Sequence, residues 1–129
     1  MLLKESWLFV ADNTNIRWVK IFHLYKGFHR KSTKIGFFIK GSARVVEPPR
    51  IEYKGFKYKY SIKGDITRML IVRSRLKEVN HSHNSIQFNS NAALNIKKKF
   101  DMRSKYINGP VSRQLNRRKI ITLFKKVIY

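Results

Sequence analysis

The sequence predicts a mainly β fold: a small closed antiparallel β-barrel of five or six short strands, with an extended hairpin and a short basic C-terminal helix. Three observations lead there. Apolar and polar residues alternate at period two through most of the chain, Gly, Asn and Pro punctuate the alternation at short intervals, and helical spacing is confined to the C-terminal quarter. Five or six short strands within about 90 residues favour closure, because a closed sheet leaves no exposed edge to pair with another chain.

Residues 17–25 are rich in β-branched and aromatic side chains and read as a central strand with basic ends. In residues 37–46 the odd positions Phe37, Ile39, Gly41, Ala43 and Val45 face a core, while Lys40, Ser42 and Arg44 point outward. The segment 65–75 carries the apolar run Met69, Leu70, Ile71, Val72 and makes a second central strand. Residues 86–88 and 92–96 are shorter strand candidates, separated by the turn residues Asn89, Ser90 and Asn91. After Gly109 and Pro110 the period changes: Ile120, Ile121, Phe124, Val127 and Ile128 recur at helical spacing opposite Lys119, Lys125 and Lys126. This predicts a basic helix covering one end of the barrel; an amphipathic helix lying on an anionic membrane is the less favoured alternative. The whole of 1–129 is read as one domain, with the barrel over about 8–97 and the C-terminal loop and helices over about 98–129.

Between Pro49 and Ile62 lies an extended hairpin. Phe56, Tyr58, Tyr60 and Ile62 fall on one side of it and Lys57, Lys59, Ser61 and Lys63 on the other. Exposed rings stacking on unpaired bases are one reading. The preferred one puts the rings in a core and the ammonium groups toward phosphate.

Charge sets the function class. Twenty-nine Lys and Arg against seven Asp and Glu give a net charge of +22, spread along all 129 residues. That much like charge on a small body opposes compaction unless a polyanion neutralises it, and nucleic-acid phosphate does so best. A disordered basic tail is excluded by a hydrophobic content of 43% interleaved with the charges. Cysteine is absent, so disulfides, thiolate zinc sites and cysteine nucleophiles are excluded together. No apolar run approaches the ~20 residues of a helical membrane span. Residues 1–7 are too short and too polar for a secretory signal, so the domain is expected to begin at once.

Enzymatic readings fail on chemistry. A two-metal nuclease needs converging carboxylates, whereas Glu5, Asp12, Glu47, Glu52, Asp65, Glu78 and Asp101 are scattered. Asp12 and Asp65 instead serve turns beside Asn13 and Gly64. His81 and His83 lack further ligands and fit a loop better than a metal site. His29, flanked by Arg30 and Lys31, belongs in a phosphate-binding loop more readily than in a general-base site. No Gly-rich nucleotide motif is present.

Taken in order, the words Val10-Ala11-Asp12-Asn13, His29-Arg30-Lys31, Ile35-Gly36, Lys63-Gly64-Asp65 and Ile71-Val72-Arg73 resemble large-subunit ribosomal protein fourteen in its bacterial and organellar form. Ile86, Phe88, Asn91, Ala92 and Ala93 resemble its next block, and Gly109, Pro110, Val111, Arg113 and Leu115 its last. The resemblance spans about residues 8 to 124. It implies a five-stranded barrel with short C-terminal helices, bound to large-subunit ribosomal RNA near the subunit interface. It further implies contacts with large-subunit proteins of families three and nineteen, a bridge to small-subunit RNA, and anti-association or assembly factors at the exposed face. The chain departs from the pattern at Thr14-Asn15-Ile16, at Phe37, at Asn84-Ser85 and in the longer stretch 49–62. With fourteen Ile and nine Asn against four Ala, residues that A+T-rich codons favour, these departures look like a mitochondrially encoded protein of the mitochondrial ribosome. A plastid or bacterial cytoplasm is the alternative.

The predicted function is therefore a structural constituent of the large subunit, with no catalytic residue, metal, cofactor or membrane partner. The alternatives are a free RNA-binding barrel acting in translation or RNA processing, and a basic nuclease. The expected RNA contacts are Asn13, His29, Arg30, Lys31, Lys40, Lys57, Lys59, Lys63, Arg73, Arg75, Arg103, Lys105, Arg113, Arg117 and Arg118. Arg30, Arg73, Arg75, Arg113, Arg117 and Arg118 are favoured for fixed contacts because a planar guanidinium can bridge two phosphate oxygens.

Overall fold

A computed structural model describes residues 2–27, 29–48, 61–79, 82–97, 103–113, 115, 121–122, 124–125 and 127–128. Five strands close into a barrel in the order β2 (Trp7–Val10), β3 (Ile16–Leu24), β5 (Phe38–Val46), β6 (Ile66–Arg73) and β9 (Ala92–Ile96). Two small ribbons stand outside it: β1 (Leu2–Leu3) with β4 (Ser32–Thr33), and β7 (Glu78–Val79) with β8 (Ser85–Ile86).

The closed five-stranded barrel is the one predicted, but it is mixed instead of antiparallel. Four seams are antiparallel, and the fifth, β2 with β9, is parallel, pairing Phe9 with Ala92 and Val10 with Ala93. The reason is arithmetic: strand directions cannot alternate all the way round a closed ring with an odd number of members, so one seam must be parallel.

The interior is filled by Leu8, Val10, Ile16, Val19, Ile21, Leu24, Ile39, Ala43, Met69 and Ile71, all essentially inaccessible to solvent; Leu94 and Ile96 are equally buried but on the other face, paired with Leu70 and Arg68. In β5 the predicted alternation holds at Ile39, Gly41 and Ala43 and fails at its ends. Val45 is exposed because a bulge intervenes: Trp18 pairs with Val45 and Val19 with Ala43, so one strand advances two residues for the other's one. Phe37 precedes the strand and is half-buried beneath cations. Gly41 sits at a close approach of β5 to β3: a Cβ there would overlap Val19 Cγ1 and lie 2.9 Å from the Lys20 carbonyl oxygen.

β9 is buried along its whole length. The returning C-terminal segment is fastened beside it, with Asn108 N–H donating to the Ala11 carbonyl (2.6 Å) and Ser112 N–H to that of Val72 (3.5 Å). The predicted amphipathic helix is not supported among the described residues: of these only Ile121 is helical, and Phe124 N–H donates to the Ile121 carbonyl (3.1 Å) in a turn. Lys125 bridges to Tyr106 and Ile128 to Pro110, so at these two positions the chain pairs with the 105–110 segment. Ile121 and Phe124 are buried as the apolar pattern required, yet Ile128 is 62% exposed. The apolar positions therefore marked contact with the barrel correctly, while backbone pairing with a neighbouring segment, which no local period encodes, decided the conformation.

The hairpin predicted over 49–62 falls on residues of which 49–60 lie outside the described set. At its described end the predicted faces are exchanged: Ser61 is buried and Ile62 is 69% exposed. Asn15 accounts for this, since its Nδ2 donates to the Ser61 carbonyl (2.8 Å) and its Oδ1 accepts from Ser61 N–H (3.3 Å). Glu47 N–H in turn donates to the Asn15 carbonyl at 2.7 Å. One residue thus holds both stems of the excursion. Of the predicted strand 86–88 only Ile86 is in a strand; Phe88 lies in the connection that follows.

Candidate nucleic-acid interface

The described candidates for RNA contact stand chiefly in four groups. The first surrounds the turn between β2 and β3. Asp12 is fully buried there, accepting from Thr14 N–H (3.1 Å) and Thr14 Oγ1–H (2.5 Å) on Oδ1 and from Asn95 N–H (2.7 Å) on Oδ2. Burial pushes its carboxyl above the ordinary range, against the pull of these donors and of Arg103. Around this anchor lie Asn13, whose N–H donates to Ser104 Oγ (3.1 Å), and Arg103, whose Nη1 donates to Ser61 Oγ (3.1 Å). Lys63 occupies the exposed turn closed by Ile62 N–H donating to Asp65 Oδ2, and Lys105 is exposed nearby in sequence. Both aspartates thus hold turns, as their neighbours in sequence predicted.

The second group is the loop after β3, which turns through Lys26 and Gly27, both at positive φ. Its Arg30 donates from Nε to the Ser32 carbonyl (2.8 Å) and lays its guanidinium over the Phe37 ring, 4.4 Å from the centroid. Lys26 approaches the same ring at 4.8 Å. His29 and Lys31 are exposed beside it.

A third group lies on the outer face of the sheet. Register places His23 opposite Lys40 and Lys40 opposite Arg68, so two cations are cross-strand neighbours. Both approach the Tyr25 ring, Lys40 Nζ at 5.8 Å and Arg68 Cζ at 5.7 Å. Like charges directly opposite one another repel, and together they make this face positive.

Arg73 and Arg75 form the fourth group, at the end of β6. A bulge between Ile71 and Arg73 shifts the register so that Arg73 pairs with Ala92. Its Nη2 donates to the Asn108 carbonyl at 2.9 Å, and burial lowers its pKa. Arg75 is exposed, its backbone N–H donating to Asn91 Oδ1 at 2.8 Å. Arg113 is exposed after the Gly109-Pro110-Val111 word, whereas Lys57, Lys59, Arg117 and Arg118 lie outside the described residues.

Sequence reasoning missed Lys26 and Arg68 among these groups. Arg68 was within reach, because it alternates with the buried Thr67 and Met69. Lys26 was not, since only the folded loop brings it to Phe37. Among the described residues no group of three or more His, Asp or Glu could hold a metal ion, and no helix is long and apolar enough to cross a membrane.

Dispersed cations on a rigid barrel, with no convergent carboxylates among the described residues, suit an RNA scaffold. The family model for ribosomal protein L14p/L23e matches residues 1–128. The chain belongs to that family. As an L14p/L23e protein it is a structural constituent of the large ribosomal subunit that binds ribosomal RNA beside neighbouring ribosomal proteins. The match runs through the 49–62 excursion as well as the blocks quoted above. Membership in L14p/L23e also gives the +22 charge its partner.

Proposed function

We propose that this L14p/L23e protein serves in a mitochondrial ribosome, where it holds folded RNA by phosphate contacts and contributes to a bridge with the small subunit. The proposed contacts are the basic residues of the four groups together with Arg113, Lys57, Lys59, Arg117 and Arg118. Of the described carboxylates, Glu47 forms a two-pronged pair with Arg17 (2.6 and 2.7 Å) and Glu5 binds Lys20 (2.6 Å). Lys31, Lys63 and Arg113 make no hydrogen bond or ion pair among the described residues and remain available to phosphate.

The observation that carries the phosphate reading is the Lys40–Arg68 juxtaposition. Two cations held opposite one another across a seam make this face strongly positive, which favours a polyanion there. A+T-favoured composition supports the organellar setting, and proteins of families three and nineteen with assembly or anti-association factors are the proposed neighbours.

Sedimentation of tagged protein from fractionated cells tests this. Co-migration with mitochondrial large subunits after a moderate salt wash is expected. Protein remaining at the top of the gradient would favour a free RNA-binding factor, and co-migration with plastid or cytoplasmic subunits would overturn the mitochondrial assignment.

A further inference from the structure

Beside the fourth basic group lies an open cleft of about 310 Å³, bordered by Arg73, Gln87, Phe88, Asn89, Ser90 and Pro110. Its size falls at the lower end of small-ligand sites, roughly 300 Å³. We propose that this cleft holds one unstacked nucleotide of the bound RNA, with a phosphate at Arg73 and the base against Phe88. The proposal rests on the RNA-binding reading and deepens it.

Arg73 is a cation lacking its counter-ion. It is half-buried, burial lowers its pKa, and no carboxylate pairs with it among the described residues. Nη2 is satisfied by the Asn108 carbonyl, while Nε is buried without any hydrogen-bond partner. A partly desolvated guanidinium in this condition is incomplete until an anion arrives.

The remaining lining has the wrong chemistry for phosphate alone. Gln87 and Asn89 each present an amide that both donates and accepts, Ser90 adds a hydroxyl, and Phe88 adds an aromatic ring. Amides that read edges beside a ring that stacks are what an unpaired base requires. A duplex keeps its bases stacked away from such a recess, so the nucleotide must be unstacked.

The wall is also fixed in advance. Phe88 N–H donates to the Ser74 carbonyl (3.0 Å), Asn91 Oδ1 accepts from Arg75 N–H (2.8 Å), and Phe88 packs partly against the core. These bonds tie the 87–91 connection to the end of β6, holding ring and guanidinium in one geometry before RNA binds.

Full-chain protein and large-subunit RNA carrying 4-thiouridine allow a test by filter binding and photocrosslinking. Phe88→Leu keeps apolar volume and removes the stacking face. It should weaken binding about tenfold without changing the salt slope. Arg73→Gln should weaken binding and reduce the slope by about one phosphate's share. Gln87→Ala, at an exposed position that cannot unfold the barrel, should weaken binding severalfold, and crosslinks should map to residues 87–90 and to an unpaired uridine.

Wild-type protein that fails to bind RNA would overturn the RNA-binding reading itself. Wild-type binding with full salt dependence, but unchanged by Phe88→Leu and Gln87→Ala and without crosslinks at 87–90, would overturn the nucleotide site alone. An effect confined to Arg73→Gln would reduce the site to a phosphate contact and overturn the base-binding part. Variants that bind RNA normally yet fail to enter assembled subunits would assign the cleft to a neighbouring protein and overturn the proposal.

Discussion

Arg73 lies across Gly109: a Cβ on residue 109 would stand 2.8 Å from Arg73 Nη1. Gly109 is at φ +90°, where a side chain is strained whatever space surrounds it. The bond from Arg73 Nη2 to the Asn108 carbonyl fixes the same approach from the other side. The glycine of the Gly109-Pro110-Val111 word therefore permits a tight backbone turn and leaves room for a guanidinium to lie on it.

Gly109→Ala should cost about 1–2 kcal/mol of stability through the positive φ. It should also displace Arg73 and weaken RNA binding, with Arg73→Gln adding little further loss in the double variant. Denaturant melts and a double-mutant binding cycle check this, and additive binding losses would show that the two residues act independently.

Gly41→Ala should destabilise the barrel by about 2–4 kcal/mol, because the new methyl meets Val19 and the Lys20 backbone where the strands cannot separate without breaking their ladder. Thermal melting is the measurement. A shift of only a degree or two would mean that β3 and β5 part more easily than their register implies.

Asp12→Ala strands the buried N–H groups of Asn95 and Thr14 and should cost about 2–4 kcal/mol. The loss should depend on pH. Burial raises the folded carboxyl's pKa above its unfolded value near 3.8, so the stabilisation Asp12 supplies is full below that value and fades as pH rises through the folded pKa. The stability gap between wild type and variant, measured by denaturant titration, should be widest in acid and narrow toward neutrality; a gap that widens with pH would show the carboxylate to be favoured by its donors.

Binding to structured RNA should weaken steeply with salt. Neutralising about six phosphates gives a slope of magnitude near five in the logarithm of affinity against the logarithm of salt. Changing Arg117 and Arg118 together to Ala should reduce that slope and impair subunit assembly while leaving the melting temperature within ~2 °C. A large fall in melting temperature would make these arginines structural.

In the 49–62 excursion, Lys57 and Lys59 should lose reactivity toward an amine-modifying reagent on assembly, as expected if their face meets RNA. Asn15→Ala, which removes the side-chain bonds to the Ser61 backbone and to the Glu47 carbonyl, should reduce that protection without unfolding the barrel. Equal reactivity in free and assembled protein would leave the excursion solvated.

The sequence by itself determined the barrel and four of its five strands. Burial at period two is a local property, and it placed β3, β5, β6 and β9 to within a residue or two and located the buried apolar positions Ile39, Ala43, Met69 and Ile71. Charge balance determined the class of partner, and the ordered words determined the family. Tertiary structure alone decided where local pattern gave way to pairing: the exposure of Val45 at a bulge, the burial of Ser61 against Asn15, and the pairing of Lys125 and Ile128 with the 105–110 segment. It also decided which cations meet. Arg73 reaches Gly109 and Phe88 from 36 and 15 positions away in sequence, and Lys40 meets Arg68 through strand register. Hydrogen bonds and close approaches between segments distant in sequence are set by closure of the whole barrel, and no window along the chain contains them.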